Sequence, residues 1–198
     1  SQEMQRLKIL ISSMLNLTKF DNGTIEIHYQ LFPIQDLAFR TILMFESRLE
    51  KRNITLEGLN SEPVQVWGDP DLIGQVIYNL FENATKFVNT GGTITFTFKD
   101  EPNSTSIAIR NTGAGISKEE LPKIFERFYK SDDSRSHDKT GLGIGLDITK
   151  HIVRLHKAQI SVSSEEGEYT EFLIRLPKKD APAESPTENP EKQPKDAR

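Results

Sequence analysis

Three short runs of residues have types and spacings that could do chemistry. Asn79, Asn83 and Lys86 stand at i, i+4 and i+7, so on a helix two amides and an ammonium project from one face. Amide oxygens are hard ligands suited to a magnesium ion that keeps several waters and is shared with phosphates, and the lysine can neutralise those phosphates. An ordinary solvated helix surface carries similar stripes. In Asn111-Thr112-Gly113-Ala114-Gly115-Ile116 the two glycines allow the main chain to come close to a flat ligand or to take a positive φ. A plain turn out of a strand reads the same way. Lys139-Thr140-Gly141-Leu142-Gly143-Ile144-Gly145-Leu146 is a glycine loop feeding an amphipathic helix, which aims free N–H groups and the positive helix end at an anion such as phosphate. It has neither the Walker spacing nor the dinucleotide G-x-G-x-x-G of a βαβ unit.

These runs need elements to hold them. Asp69-Pro70 announces a helix whose apolar stripe, Ile73, Ile77, Leu80, Ala84 and Phe87, is offset by about 100° from the amide stripe. Gly91-Gly92 closes it. Ahead of it, Thr24 to Leu31 reads as a strand, Pro33 to about Lys51 as a helix, and Ile54 to Leu56 and Val64 to Trp67 as short strands. A hairpin follows from Thr93-Phe98 through a turn at Asp100-Ser104 to Thr105-Arg110. Next come a short helix near Lys118 to Phe125, a polar run from Tyr129 to Thr140, a helix from the glycine loop to about Lys157, and strands at Gln159-Ser164 and Thr170-Leu176. Helices interleaved with hairpins predict an α+β layered domain rather than a doubly wound parallel one.

At the start, Met4, Leu7, Ile11 and Met14, widened by Leu10, Leu15 and Leu17, predict an amphipathic helix that finds a partner helix, with self-association the obvious source. Packing back on its own domain is the other solution. Beyond Pro177 prolines recur every four residues among balanced charges, which predicts a disordered tail over 178–198. The expected division is therefore 1–22 for the first helix, 23–177 for the folded domain, and 178–198 for the tail.

Composition narrows the chemistry. A net charge of -4 over 198 residues gives no reason to expect a nucleic-acid partner. With Cys 0, disulfide scaffolds, thiolate metal sites and cysteine nucleophiles are excluded. No apolar run approaches the ~20 residues that span a bilayer, and no signal peptide is evident. The chain opens inside an amphipathic pattern without an initiator methionine, so a piece of a longer protein is expected.

Taken in order, the motifs resemble those of sensor histidine kinases. Asn79 to Phe87 (NLFENATKF) is similar to the family's N box, NTGAGI to its first glycine box, Phe125 to Lys130 (FERFYK) to its phenylalanine box, and GLGIGL to its second glycine box. The likeness extends from about Leu7 to Leu176. It implies the Bergerat fold, a two-layer sandwich of a mixed sheet with helices on one face, holding ATP and Mg²⁺ between the N-box helix and a lid. By position, Asn79 and Asn83 would bind magnesium and phosphates, Lys86 would contact a phosphate, and Phe87 would border the adenine. Gly113, Gly115 and Ile116 would line the base pocket beside Asn111. Tyr129 to Thr140 would form the lid, and Thr140, Gly141, Leu142, Gly143, Gly145 and Leu146 would wrap the triphosphate. Arg127 would orient the terminal phosphate, dock the partner helix, or simply form a surface ion pair.

The resemblance also implies a reaction: transfer of the γ-phosphoryl group to a histidine on a dimerisation hairpin, then to a response-regulator aspartate. Ser1 to Phe20 resembles the second helix of that hairpin. The parent would be a homodimer, anchored in a membrane with this domain in the cytoplasm. Two departures stand out. Asn111 replaces the aspartate that usually accepts the adenine amino proton, which implies weaker ATP binding. No histidine followed by an acidic residue occupies a helix: the one such pair, His137-Asp138, falls in the lid. The acceptor is thus expected upstream, and the chain alone should not phosphorylate itself. All four histidines, His28, His137, His151 and His156, are read as structural. A gyrase-like or chaperone-like ATPase is a rival, though Asn79 stands where those enzymes have a glutamate base. A degenerate nucleotide-binding scaffold is another, suggested by Asn111.

Overall fold

The computed structural model describes residues 25–59, 62–129 and 143–180, together with Met4 and Ile11. The first-helix, lid and tail expectations thus fall largely outside the described residues, as do Thr140, Gly141 and Leu142. In chain order the elements are β1 (Gln30–Pro33), α1 (Ile34–Lys51), β2 (Thr55–Glu57), β3 (Gln65–Gly68), α2 (Pro70–Phe87), β4 (Thr93–Asp100), β5 (Ser104–Thr112), α3 (Gly145–Leu155), β6 (Gln159–Glu165) and β7 (Tyr169–Pro177).

Strands β2-β4-β5-β7-β6 form a five-stranded sheet, with β1 and β3 a separate antiparallel pair. Within the large sheet β2 runs parallel to β4 and the other pairings are antiparallel. Alternation along the strands separates its faces. Ile94, Phe96, Ile107, Ile109, Phe172 and Ile174 are buried on one face, and meet Ile73, Ile77, Leu80 and Phe81 of α2 and Ile148 and Ile152 of α3 in a single core. The result is the mixed-sheet α+β sandwich expected from the motifs.

Helix α2 is the central rod, packed on both α1 and α3. Its start is fixed by Asp69, whose Oδ1 accepts from Asp71 N at 3.0 Å and Leu72 N at 3.2 Å, with Pro70 in the first turn. That satisfies donors which a helix N-terminus otherwise leaves orphaned. Helix α1 starts without a side-chain cap; instead Ile34 N donates to Val64 O at 3.0 Å, and the buried Gln35 amide pairs with Glu62 O and Val64 N.

Two elements differ from expectation. Of the strand expected over Thr24 to Leu31, only Gln30 and Leu31 lie in β1; residues 25–29 form a strap without regular structure, held where His28 N donates to Asp69 Oδ2 at 2.9 Å and Tyr29 stacks on Trp67. The segment around Lys118 to Phe125 is a succession of turns, with three-residue closures at Ser117–Glu120, Glu120–Lys123 and Lys123–Glu126. Pro122 has no N–H to give Lys118, so a regular helix cannot run through it. At the other end the chain stays against the domain past Pro177: Lys178 N donates to Asn103 O, and Lys179 lies over the Trp67 ring.

Candidate functional site

Helix α2 touches both glycine segments. Near its middle, buried Asn79 donates Nδ2 to Gly145 O at 3.0 Å and to Thr149 Oγ1 at 3.4 Å, tying it to the first turns of α3. At its C-terminal end Val88 bridges Gly113. The two contacts are about 13.5 Å apart along the axis, the rise of nine helical residues. The expected amide, base-pocket and phosphate-loop positions therefore converge on one rod.

At the base end, Gly113 has φ +153, and a Cβ there would sit 2.2 Å from Phe87 O. Only glycine allows that approach. Asn111 is the last residue of β5 on the helix-facing side and is 4% exposed. Its Nδ2 donates to Thr112 O at 3.0 Å, and its Oδ1 is the atom with which it would accept a hydrogen bond from a ligand. Phe87 is 37% exposed, as a ring bordering a ligand would have to be. Gly115 packs against Glu165, and Ile116 N donates to Ser164 Oγ at 2.8 Å, fixing the loop to β6.

At the other end, Gly143 has φ +69, and its carbonyl accepts Phe128 N at 3.0 Å. Helix α3 then begins at Gly145 without a side-chain cap, so its first-turn N–H groups have the orientation that suits an anion. Leu146 packs at the core margin. Asn83 and Lys86 are half-buried on α2, with Lys86 Nζ 3.5 Å from Glu82 Oε1. Arg127 Nε lies 2.8 Å from Oδ2 of Asp147, in the first turn of α3. Phe128 beside it has φ +65 and is 70% exposed.

Among the described residues no group of three or more His, Asp or Glu is placed to hold a metal. A cation here would be held by amide oxygens and by the ligand's own phosphates. Asn79 and Asn83 suit that role through Oδ1, since the Asn79 nitrogen is already engaged. Sequence reasoning missed the supports: Asp147, which holds Arg127; Thr149, which helps orient Asn79; and Arg52, which grips the end of α2. The acidic first turn after the glycine loop was the available signal for Asp147. Arg52 left none, since its partners are backbone carbonyls.

His156 sits as a structural group, whereas His137 lies outside the described residues. His156 is 1% exposed, and its Nε2 accepts Asp69 N at 3.1 Å, so Nδ1 carries the proton and donates to Ile152 O at 2.8 Å. Burial is the main cause holding its pKa below the ordinary value.

The family described as "Histidine kinase-, DNA gyrase B-, and HSP90-like ATPase" matches residues 68–180. Sensor protein SrrB of Staphylococcus aureus strain NCTC 8325 / PS 47 is 33% identical over 177 residues, covering 89% of this chain and 30% of SrrB. The chain thus spans under a third of the curated relatives it matches. The nucleotide-free catalytic domain of histidine kinase ThkA superposes with a TM-score of 0.65 at 27% identity, over 76% of this chain and 95% of that one. ThkA in complex with response regulator protein TrrA gives a TM-score of 0.66 at 24% identity, over 88% of this chain and 48% of that one. The chain belongs to the histidine kinase, gyrase B and HSP90-like ATPase family. Within that family its motifs and fold are those of a sensor histidine kinase's ATP-binding catalytic domain.

Proposed function

We propose that this domain binds ATP with Mg²⁺ and presents the γ-phosphoryl group to a histidine on a dimerisation hairpin outside these residues, for relay to a response-regulator aspartate. The observation that carries the reading is the contact of α2 with both glycine segments, Asn79 with Gly145 and Val88 with Gly113. ATP would lie along that helix with its base toward Asn111 and Gly113 and its phosphates toward Gly143 and the α3 N-terminus. Thr140, Gly141 and Leu142 would complete the wrap around the phosphates.

Asn79 and Asn83 would hold Mg²⁺ through Oδ1. When bound, the metal supplies charge neutralisation across the phosphates. Lys86 and the glycine-loop amides add to it, and the remaining work is alignment of the donor with an incoming imidazole. Asp147 holds the Arg127 guanidinium over the first turn of α3, where Arg127 can meet a terminal phosphate or an acceptor helix. Asn79 cannot replace a glutamate base, because a carboxamide does not take a proton from water as a carboxylate does, which argues against an efficient hydrolase.

SrrB is a sensor protein, and ThkA was solved with a response regulator. By analogy the parent here would be a membrane-anchored homodimer with this domain on the cytoplasmic side, working with a receiver-domain partner. No described helix is long and apolar enough to cross a membrane. Incubation with γ-labelled ATP and Mg²⁺ is expected to leave the chain unlabelled and to yield acid-labile label once the upstream hairpin is restored. Label on the chain alone would overturn the assignment. Steady phosphate release would favour a conformational ATPase, and ATP binding without transfer by the restored protein would favour a scaffold.

A further inference from the structure

The base end of the candidate site has a support on the side away from the ligand. Helix α1 ends at Arg52, whose side chain reaches across to the last turn of α2. Arg52 Nη1 donates to Thr85 O at 2.6 Å and its Nη2 donates to Val88 O. Arg48, one turn earlier, donates to the Thr85 hydroxyl at 3.2 Å. The Arg52 carbonyl in turn accepts Gly91 N at 2.9 Å. One residue therefore holds the chain leaving α2 at three backbone points.

That stretch is the wall of the base pocket. Phe87 O lies against Gly113, Val88 bridges Gly113, and the Asn89 side chain accepts the Thr112 hydroxyl at 2.7 Å. Residues 87–89 are thus clamped between Arg52 on one side and the first glycine loop on the other. A guanidinium suits the place for two reasons. Its planar fork can serve two carbonyls at once, and its charge complements the negative end of a helix. A lysine ammonium keeps the charge but has no planar fork.

We propose that Arg52 is a positioning residue for nucleotide recognition: by gripping the Thr85 and Val88 carbonyls it sets where Phe87 stands relative to Asn111 and Gly113, and so tunes affinity for the base without touching the ligand. This rests on the ATP-site reading above. It differs from simple helix capping in its consequence, because it acts on base-dependent affinity and leaves phosphate-dependent affinity alone.

The test uses Arg52→Gln and Arg52→Lys in the whole chain. Affinities for ATP and for inorganic tripolyphosphate, both with Mg²⁺, are measured by displacement of a fluorescent ATP analogue, alongside melting temperature. Arg52→Gln is expected to weaken ATP about tenfold, the scale of one lost charge-assisted hydrogen bond, while tripolyphosphate changes by less than about twofold. Arg52→Lys should recover part of the ATP loss. Equal weakening of both ligands, or unchanged ATP affinity, would overturn the inference even if the melting temperature falls. Should Arg52→Gln fail to fold, the ratio of the two affinities in Arg52→Lys decides on the same terms. Wild-type protein that binds neither ligand would instead sink the ATP-site reading, and this inference with it.

Discussion

Asn111 shows what a single side chain can reveal at this site. It is buried at the end of β5, with its nitrogen committed to Thr112 O. An amide so oriented can accept a hydrogen bond from an adenine amino group, but without the charge that roughly doubles the strength of such a bond. Asn111→Asp is therefore expected to tighten ATP binding by about 1 kcal/mol, or roughly fivefold, in a nucleotide titration. Equal or poorer affinity in the aspartate variant would discredit the assignment. Gly113 makes a harsher prediction, because a Cβ there meets Phe87 O at 2.2 Å. Gly113→Ala should lower stability by on the order of 2 kcal/mol in a denaturant melt. The types and spacings of Asn79, Asn83, Asn111 and the glycines were legible in the sequence. Their orientation was not: nothing in a linear pattern says that the Asn79 nitrogen would be spent on a carbonyl 66 residues away.

Among the elements, the junction before α2 concentrates several constraints. Asp69 caps the helix, accepts the strap at His28 N, and gives its own N–H to His156. Asp69→Ala should cost at least about 1 kcal/mol from the lost cap, and more because His28 N loses its partner, as read by urea denaturation. His156 adds a pH dependence whose sign follows from burial. Its folded pKa lies below the ordinary 6.5, so the unfolded chain binds the proton more readily. Stability is full above that value and declines as pH falls from 6.5 toward the folded pKa. The groups facing the ring are Asp69 and Tyr29, and the Asp69 carboxylate softens the decline. Denaturation midpoints at pH 7.5 and 5.5 should differ less in a folded His156→Gln variant. Element existence was well marked, by Asp69-Pro70 for α2 and by alternation in β4 and β5. The missed ones fail for tertiary reasons: the strap pairs with a carboxylate instead of a strand, and Pro122 interrupts a helical pattern.

Across the whole molecule, binding and folding are linked. If ATP binds only the folded state, saturation at about 100 times Kd should add about 2.7 kcal/mol of stability and raise the melting temperature. Asn83→Ala, at a half-buried position, should abolish that Mg²⁺-dependent rise while leaving the ligand-free melt nearly unchanged. A rise that survives in Asn83→Ala would remove this residue from the metal site. The α+β class was readable from the alternation of helices and hairpins, but the strand order was not, because β2 joins β4 only after the chain has passed through β3 and α2. That parallel pairing has a kinetic corollary. Pairing Thr55–Glu57 with Thr93–Thr95 closes the loop through β3 and α2, whose entropy cost predicts that this edge of the sheet joins late in assembly. Amide protons of β2 should acquire protection from exchange after those of the β4–β5 ribbon and of the rod that carries the asparagines, and simultaneous protection would overturn that order.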